Sequence, residues 1–77
     1  MHYCIDTKGL QKAMIDENIK NPSELAKIAG ISRKTSSDVV NGNILPSTVV
    51  MQKIAYALHM SGEQAGAIFF ATNLRDA

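Results

Sequence analysis

Apolar residues recur along this chain at the spacing of helices rather than on alternate positions. Period-two alternation is not sustained after residue 6, whereas apolar residues three or four positions apart recur in several separate segments. The clearest amphipathic segment places four apolar residues on one helical face, and these are Met51, Ile54, Ala55 and Leu58. We therefore expect an all-α fold, a compact bundle of about five helices.

Capping residues predict where the first two helices begin and end. The first helix is expected at roughly residues 7 to 18. Asn21 can cap the second helix, and Pro22 suits a first turn that needs no amide donor there. Glu24 can reach back to the cap, and Gly30 supplies a residue that ends the helix.

Three further helices follow from similar signals. Ser32 is placed to cap a third helix of about eight residues, which ends at Gly42. The fourth and fifth helices are expected within about residues 46 to 72. A capping box from Ser61 to Gln64 opens the fifth helix.

Length and composition restrict what such a bundle can do. The 77 residues, 45% hydrophobic and 19% charged, suit one ordinary globular domain, which is too small for a deep catalytic cleft. The lone Cys4 cannot form an internal disulfide, and no apolar run approaches the roughly 20 residues of a membrane span. His2, Cys4 and His59 lack paired metal-ligand spacing, and we expect Cys4 to pack as a small hydrophobic residue. We expect a cytoplasmic protein that is not an enzyme and has no metal, cofactor or membrane partner.

Residues 22–42 have the pattern of a helix-turn-helix. Two helices joined by a tight turn need a small residue where they cross, a glycine at the turn and apolar residues that hold the second helix on the first. Ala26, Gly30 and the pair Ile31 and Val39 meet these needs in order. The remaining faces of the third helix carry side chains that can form hydrogen bonds, and these are Arg33, Lys34, Ser37 and Asp38.

In these residues the chain resembles the helix-turn-helix family of phage lambda repressor and Cro proteins, also called the xenobiotic-response-element type. The resemblance covers about residues 7–70. The positions that carry it are Leu25, Ala26, residues 29–33, Thr35, Val39, Asn41, Gly42, Pro46, Ser47 and residues 53–58. The resemblance implies that helices 2 and 3 form the DNA-reading unit, with helix 3 in the major groove.

The resemblance also implies a set of DNA contacts. The candidate positions are Ser23, Ser32, Arg33, Lys34, Thr35, Ser37, Asp38, Asn41 and Asn43. Arg33 or Lys34 can donate to guanine O6 and N7, and Asp38 can accept from cytosine N4. Ser23, with the amides at the start of helix 2, and the two asparagines are candidates for phosphate contacts.

Each of these residues also has an ordinary structural alternative. Ser32 caps helix 3 in any case, and Thr35 suits local hydrogen bonding as well as a phosphate contact. Arg33 and Lys34 would lie on any solvated helix face, where Lys34 and Asp38 form an i,i+4 pair.

Two residues depart from the family pattern. Ser36 lies at a position that is usually aliphatic, so we expect either a less firmly anchored helix 3 or local use of the hydroxyl. Pro22 stands where many relatives carry a glutamine that binds a phosphate and braces a recognition side chain. That interaction is therefore absent from this chain.

The distribution of charge supports a nucleic-acid partner more than the total does. The net charge of the chain is +1, but residues 20–53 hold five basic residues against two acidic ones, a local balance of +3. With so few cations, non-specific affinity for DNA should be modest and should fall with salt. Specific binding is expected to need a dimer on two half-sites about 34 Å apart.

Some apolar residues fall outside the predicted inner faces. Val49 and Tyr56 point away from the apolar face of helix 4, and Phe70 lies off the apolar face of helix 5. An exposed apolar cluster of this kind indicates a partner surface. We expect the last helix, with Phe69 and Phe70, to build a homodimer interface or to dock another protein; alternatively, both phenylalanines close a small core.

Together these features predict a sequence-specific DNA-binding transcriptional regulator. The expected form is a Cro-like repressor of a phage, mobile element or bacterium that occupies its operator as a dimer. The alternative is a protein-interaction module on a helix-turn-helix scaffold, similar to an antitoxin or an antirepressor.

Overall fold

The computed structural model describes the backbone of residues 3–72 and the side chains of residues 4–71. The sequence predicts that residues 73–77 fray, and this prediction lies outside the described residues. In chain order the elements are β1 (Tyr3–Cys4), α1 (Thr7–Asp16), α2 (Pro22–Ala29), α3 (Arg33–Val40), α4 (Thr48–Ala57), α5 (Gly62–Phe69) and β2 (Ala71–Thr72). The five helices confirm the all-α prediction. The two short strands were not predicted, because two residues are too few to show a period of two.

Each helix begins at a polar side chain that accepts a hydrogen bond from an amide of the first turn. These capping residues are Asp6, Asn21, Ser32, Ser47 and Ser61. The predicted capping box is present at the start of α5, where the Ser61 amide donates to the Gln64 side chain at 3.0 Å. Gly30 and Gly42 both adopt positive φ angles, at 73° and 75°, after α2 and α3 respectively.

One predicted helix end and one predicted capping contact differ from the structure. α1 ends at Asp16 rather than near residue 18, because Asn18 adopts a left-handed conformation with φ of 59° that turns the chain away from the helix. Glu24 reaches back beyond the cap and accepts from the amide of Lys20 at 3.2 Å.

Every helix contributes one fully buried apolar side chain to a common core. In chain order these are Leu10, Leu25, Val39, Ile54 and Phe69, each no more than 1% exposed. Burial of such a side chain contributes roughly 1.5–3 kcal/mol each. The core therefore fixes the positions of all five helices, including the two that carry the candidate site.

The predicted apolar face of α4 is inward, with Met51, Ile54 and Leu58 buried. The expectation for α5 needs a correction. Phe69 is 1% exposed and belongs to the core, so it does not lie on a partner surface, whereas Phe70 is 49% exposed. Phe70 is the C-cap residue that follows the last residue of α5, and its φ of −120° and ψ of 33° depart from helical geometry, so its ring does not continue the inner face of the helix.

The two strands tie the beginning of the chain to the end of α5. They pair antiparallel, with Tyr3 opposite Thr72 and Cys4 opposite Ala71. The amide of Asp6 also donates to the carbonyl of Ile68 at 2.8 Å. In residues 3–72 no helix has the length and apolar character to cross a membrane.

Candidate nucleic-acid interface

α2 and α3 form a tight helix pair around the turn at residues 30–32. The Gly30 and Ile31 amides both donate to the carbonyl of Ala26, at 2.9 and 3.0 Å. Ala26 is 3% exposed, which lets the two helices approach closely, and Val39 is fully buried beneath α3. Ala26, Gly30 and Val39 therefore have the places that the sequence predicted for them in a helix-turn-helix.

The faces of α3 are clearly divided between core and solvent. Ser36, Val39 and Val40 are buried on the inner face. Arg33 and Lys34 are exposed at the N-terminal end, and the half-buried side chains along the helix are Thr35, Ser37 and Asp38. The outer face of α3 therefore presents cationic and hydrogen-bonding side chains from a helix that is anchored on its other side.

Ser32 and Thr35 form a local hydrogen-bonded cap at the start of α3. The Ser32 hydroxyl accepts from the Thr35 amide at 3.1 Å and donates to Thr35 Oγ1 at 2.7 Å. The structural role expected of Ser32 is thus present. The hydroxyl proton of Thr35 is still available to a further acceptor, because Oγ1 acts as the acceptor in this pair.

The two cations at the start of α3 differ in their surroundings. Lys34 Nζ lies 3.7 Å from Asp38 Oδ2, and the Lys34 side chain is 89% exposed. An exposed i,i+4 pair is worth only about 0.2–0.5 kcal/mol, so it opens easily for another ligand. Within residues 3–72 the guanidinium of Arg33 makes no hydrogen bond or ion pair, which leaves its donors unoccupied.

The loop after α3 carries the two candidate asparagines, both of them exposed. The side chain of Asn41 donates from Nδ2 to the Ser37 hydroxyl at 3.3 Å. The backbone N–H of Asn43 donates to the backbone carbonyl of Asp38 at 2.8 Å. Gly42 between them has no room for a side chain, because a Cβ there would lie 2.9 Å from Thr7 Cγ2. The loop is therefore held against the end of α3 and the start of α1.

Ser36 behaves differently from both alternatives suggested by the sequence. Its side chain is 0% exposed, and its hydroxyl donates to the carbonyl of Pro22 at 2.7 Å. The bond is not local, since its partner lies fourteen residues earlier at the start of α2. It joins the two helices of the pair directly, so α3 is anchored by a polar contact as well as by Val39.

The sequence reasoning missed Lys27 as a candidate residue. Lys27 and Ser23 line one surface depression together with Arg33, beside the turn between α2 and α3. Ser23 and Lys27 are four residues apart and therefore share a face of α2. The shared face of α2 could be predicted from this spacing, but the closeness of Ser23 and Lys27 to Arg33 depends on how α2 and α3 pack.

No group of three or more His, Cys, Asp or Glu side chains that could bind a metal ion is found among the residues that the structure describes. His59 lies instead beside Glu17, with Nδ1 and Oε1 separated by 3.3 Å. Cys4 is exposed, so its expected packing as a small core residue is wrong.

A helix pair joined by a tight turn, with the second helix presenting polar side chains outward, defines the helix-turn-helix class of DNA-binding domain. The sequence profile of the Cro/C1-type HTH DNA-binding domain matches residues 9–64, which is more than half of the chain. The chain belongs to this family, as the resemblance indicated. Neither the curated proteins nor the solved structures gave a significant match.

Proposed function

We propose that this chain is a sequence-specific transcriptional regulator that binds an operator with α3 in the major groove. The observation that carries the proposal is the outer face of α3, where Arg33 and Lys34 are exposed on a helix anchored from behind. Membership in a DNA-binding family supports DNA as the partner of this face.

Each polar residue of the site has a proposed role that its surroundings support. Arg33, with unoccupied donors, binds guanine O6 and N7, and Lys34 adds a second donor when its pair with Asp38 opens. Asp38 accepts from cytosine N4. Ser32 is assigned to the same base edges as Arg33 and Lys34, and Ser37 is assigned with Asp38 to the next turn of α3. Phosphate contacts are assigned to the remaining positions, which are Ser23, Lys27, Thr35, Asn41 and Asn43.

The proposed mechanism is steric repression in the cytoplasm, with no catalytic step. A regulator that covers its operator excludes polymerase by occupancy alone, so neither a ligand nor a cofactor is required. A small Cro-like repressor of a phage, mobile element or bacterium fits this mechanism.

A gel shift at two salt concentrations tests whether the chain binds DNA selectively. We expect a saturable shift of DNA from upstream of the chain's own locus, resistant to a scrambled competitor. The affinity should fall as salt rises, because cations on the protein displace counterions from the phosphates. The absence of any shift at low salt would contradict the proposal.

We also propose that the regulator acts as a homodimer through the surface of α4 and α5. Val49, Tyr56 and Phe70 are 59%, 87% and 49% exposed. Phe70 lines a groove between α4 and α5 whose other residues are mostly small or apolar, such as Met51 and Ala55, together with Thr48 and Gln52. Exposed apolar surface of this kind is typical of a protein interface.

Sedimentation of a Phe70→Glu variant tests this dimer. We expect the wild-type chain to sediment as a dimer at micromolar concentration and the variant as a monomer, because a carboxylate would be placed at an apolar interface. Ile15→Glu is a matched control, since Ile15 is 74% exposed on α1 and does not line the groove. A wild-type monomer, unchanged by Phe70→Glu, would overturn the dimer.

The same groove favours the second candidate function, a protein-interaction module similar to an antitoxin or antirepressor. Its apolar lining would hold a segment of another protein. A chain that fails to shift DNA at any salt concentration would be assigned to this class.

A further inference from the structure

The buried hydroxyl of Ser36 makes a hydrogen bond that links the first turn of α2 to the middle of α3. Ser36 Oγ donates to the Pro22 carbonyl at 2.7 Å, and the side chain is 0% exposed. The family usually has an aliphatic side chain at this position, which would pack here without a preferred direction. A hydrogen bond is directional and weakens steeply when its geometry is lost.

The carbonyl of Pro22 does not depend on this bond. Helix geometry already gives a carbonyl in the first turn a partner four residues later, so the oxygen accepts with its second lone pair. The hydroxyl, in contrast, has no other hydrogen-bond partner among the described residues than the Pro22 oxygen, and an unsatisfied buried hydroxyl is costly. A shift of α3 relative to the start of α2 would therefore break the hydrogen bond that Ser36 makes in this structure.

The two ends of this hydrogen bond lie next to the two kinds of proposed DNA contact. Pro22 precedes Ser23, a proposed phosphate contact at the start of α2. On α3, Ser36 lies three residues after Arg33 and two before Asp38, the proposed base contacts. A shift of α3 at Ser36 would therefore move the base contacts relative to the phosphate contact.

We propose that Ser36 is a positioning residue that sets the register between the phosphate contact at the start of α2 and the base contacts on α3. It would do so in a chain that has proline at position 22, where many relatives carry a bracing glutamine. The inference rests on the proposed function, since register matters only if α3 reads DNA. It differs from a purely stabilising role in one measurable respect. Loss of register lowers specific binding, whereas non-specific binding follows charge and is unchanged.

The test compares the affinity of Ser36→Ala for the operator with its affinity for scrambled DNA, at a temperature where circular dichroism shows the variant folded. We expect the ratio of specific to non-specific affinity to fall by up to about tenfold, because the net free energy of one neutral hydrogen bond sets the ceiling. The affinity for scrambled DNA should stay at the wild-type value.

Three further variants separate the hydrogen bond from packing. Ser36→Thr keeps the hydroxyl and should retain the ratio, whereas Ser36→Val, which has the shape of the threonine variant, lacks the hydroxyl and should match Ser36→Ala. Pro22→Ala keeps the carbonyl that accepts the bond and should also retain the ratio. If the threonine variant does not fold, the contrast between Ser36→Ala and Pro22→Ala still decides the matter.

The outcomes separate this inference from the function on which it rests. A wild-type chain that does not distinguish operator from scrambled DNA would overturn both. A selective wild-type chain whose ratio is unchanged in folded Ser36→Ala would overturn the positioning role alone. A lower ratio in both Ser36→Ala and Pro22→Ala would show that the hydroxyl bond is not the cause.

Discussion

Replacing Arg33 by alanine is expected to weaken operator binding by about 1–3 kcal/mol, which corresponds to roughly 5- to 150-fold in affinity. The guanidinium is exposed at the N-terminal end of α3 and has no partner among residues 3–72, so it enters the complex without first breaking a bond. The variant lacks the side chain proposed to make a bidentate contact to guanine, so selectivity at that base pair should relax. The fold should be unchanged, because no core side chain is altered.

Lys12→Ala is the matched control for the arginine variant. Lys12 is an exposed cation of α1, outside the helix pair, and its removal lowers the net charge by the same amount. Equilibrium titrations of both variants on one operator duplex measure the difference. If the two variants bind equally well, charge alone accounts for the effect and the assignment of Arg33 to a base contact is wrong.

Replacing Phe69 by alanine is expected to destabilise the fold by about 3–5 kcal/mol. Phe69 is 1% exposed and is among the largest fully buried side chains of the described residues. A domain of this size is typically stable by about 0.05–0.15 kcal/mol per residue, or roughly 4–12 kcal/mol in total, so the variant should lose a large part of its stability. Urea denaturation followed by circular dichroism gives the free energy of unfolding.

Phe70→Ala is the control for this second variant, since it removes a ring of the same size from the adjacent position. Phe70 is 49% exposed, so we expect a much smaller loss of stability. The contrast checks the correction that assigns Phe69 to the core and Phe70 to the surface. Equal losses in the two variants would mean that this assignment is wrong.

The helix pair was largely predictable because its signals are local. Asn21, Gly30 and Ser32 act within one turn of their own positions, and each lies at a helix end in the structure. The exposure of Arg33 and Lys34 was predictable for a related reason. Once Val39 fixes the inner face of α3, the helical period determines which residues point outward.

Contacts between distant residues were not predictable from the sequence. The pairing of Cys4 with Ala71 and the bond from Ser36 to Pro22 both depend on segments that only the completed core brings together. The two phenylalanines show a different difficulty. The helical period set Phe70 apart from the apolar face of α5, but it did not show whether Phe69 closes the core or joins Phe70 at an interface, because that depends on which segments pack against α5.

Selection of binding sites from a random double-stranded DNA library is the most direct test of sequence-specific binding by a dimer, because it requires no knowledge of the locus. We expect enrichment of a sequence with two inverted half-sites whose centres are about 34 Å apart. Each half-site should contain a guanine that the Arg33→Ala variant no longer selects. Recovery of unenriched sequences at low salt, from a protein shown to be folded, would contradict sequence-specific binding.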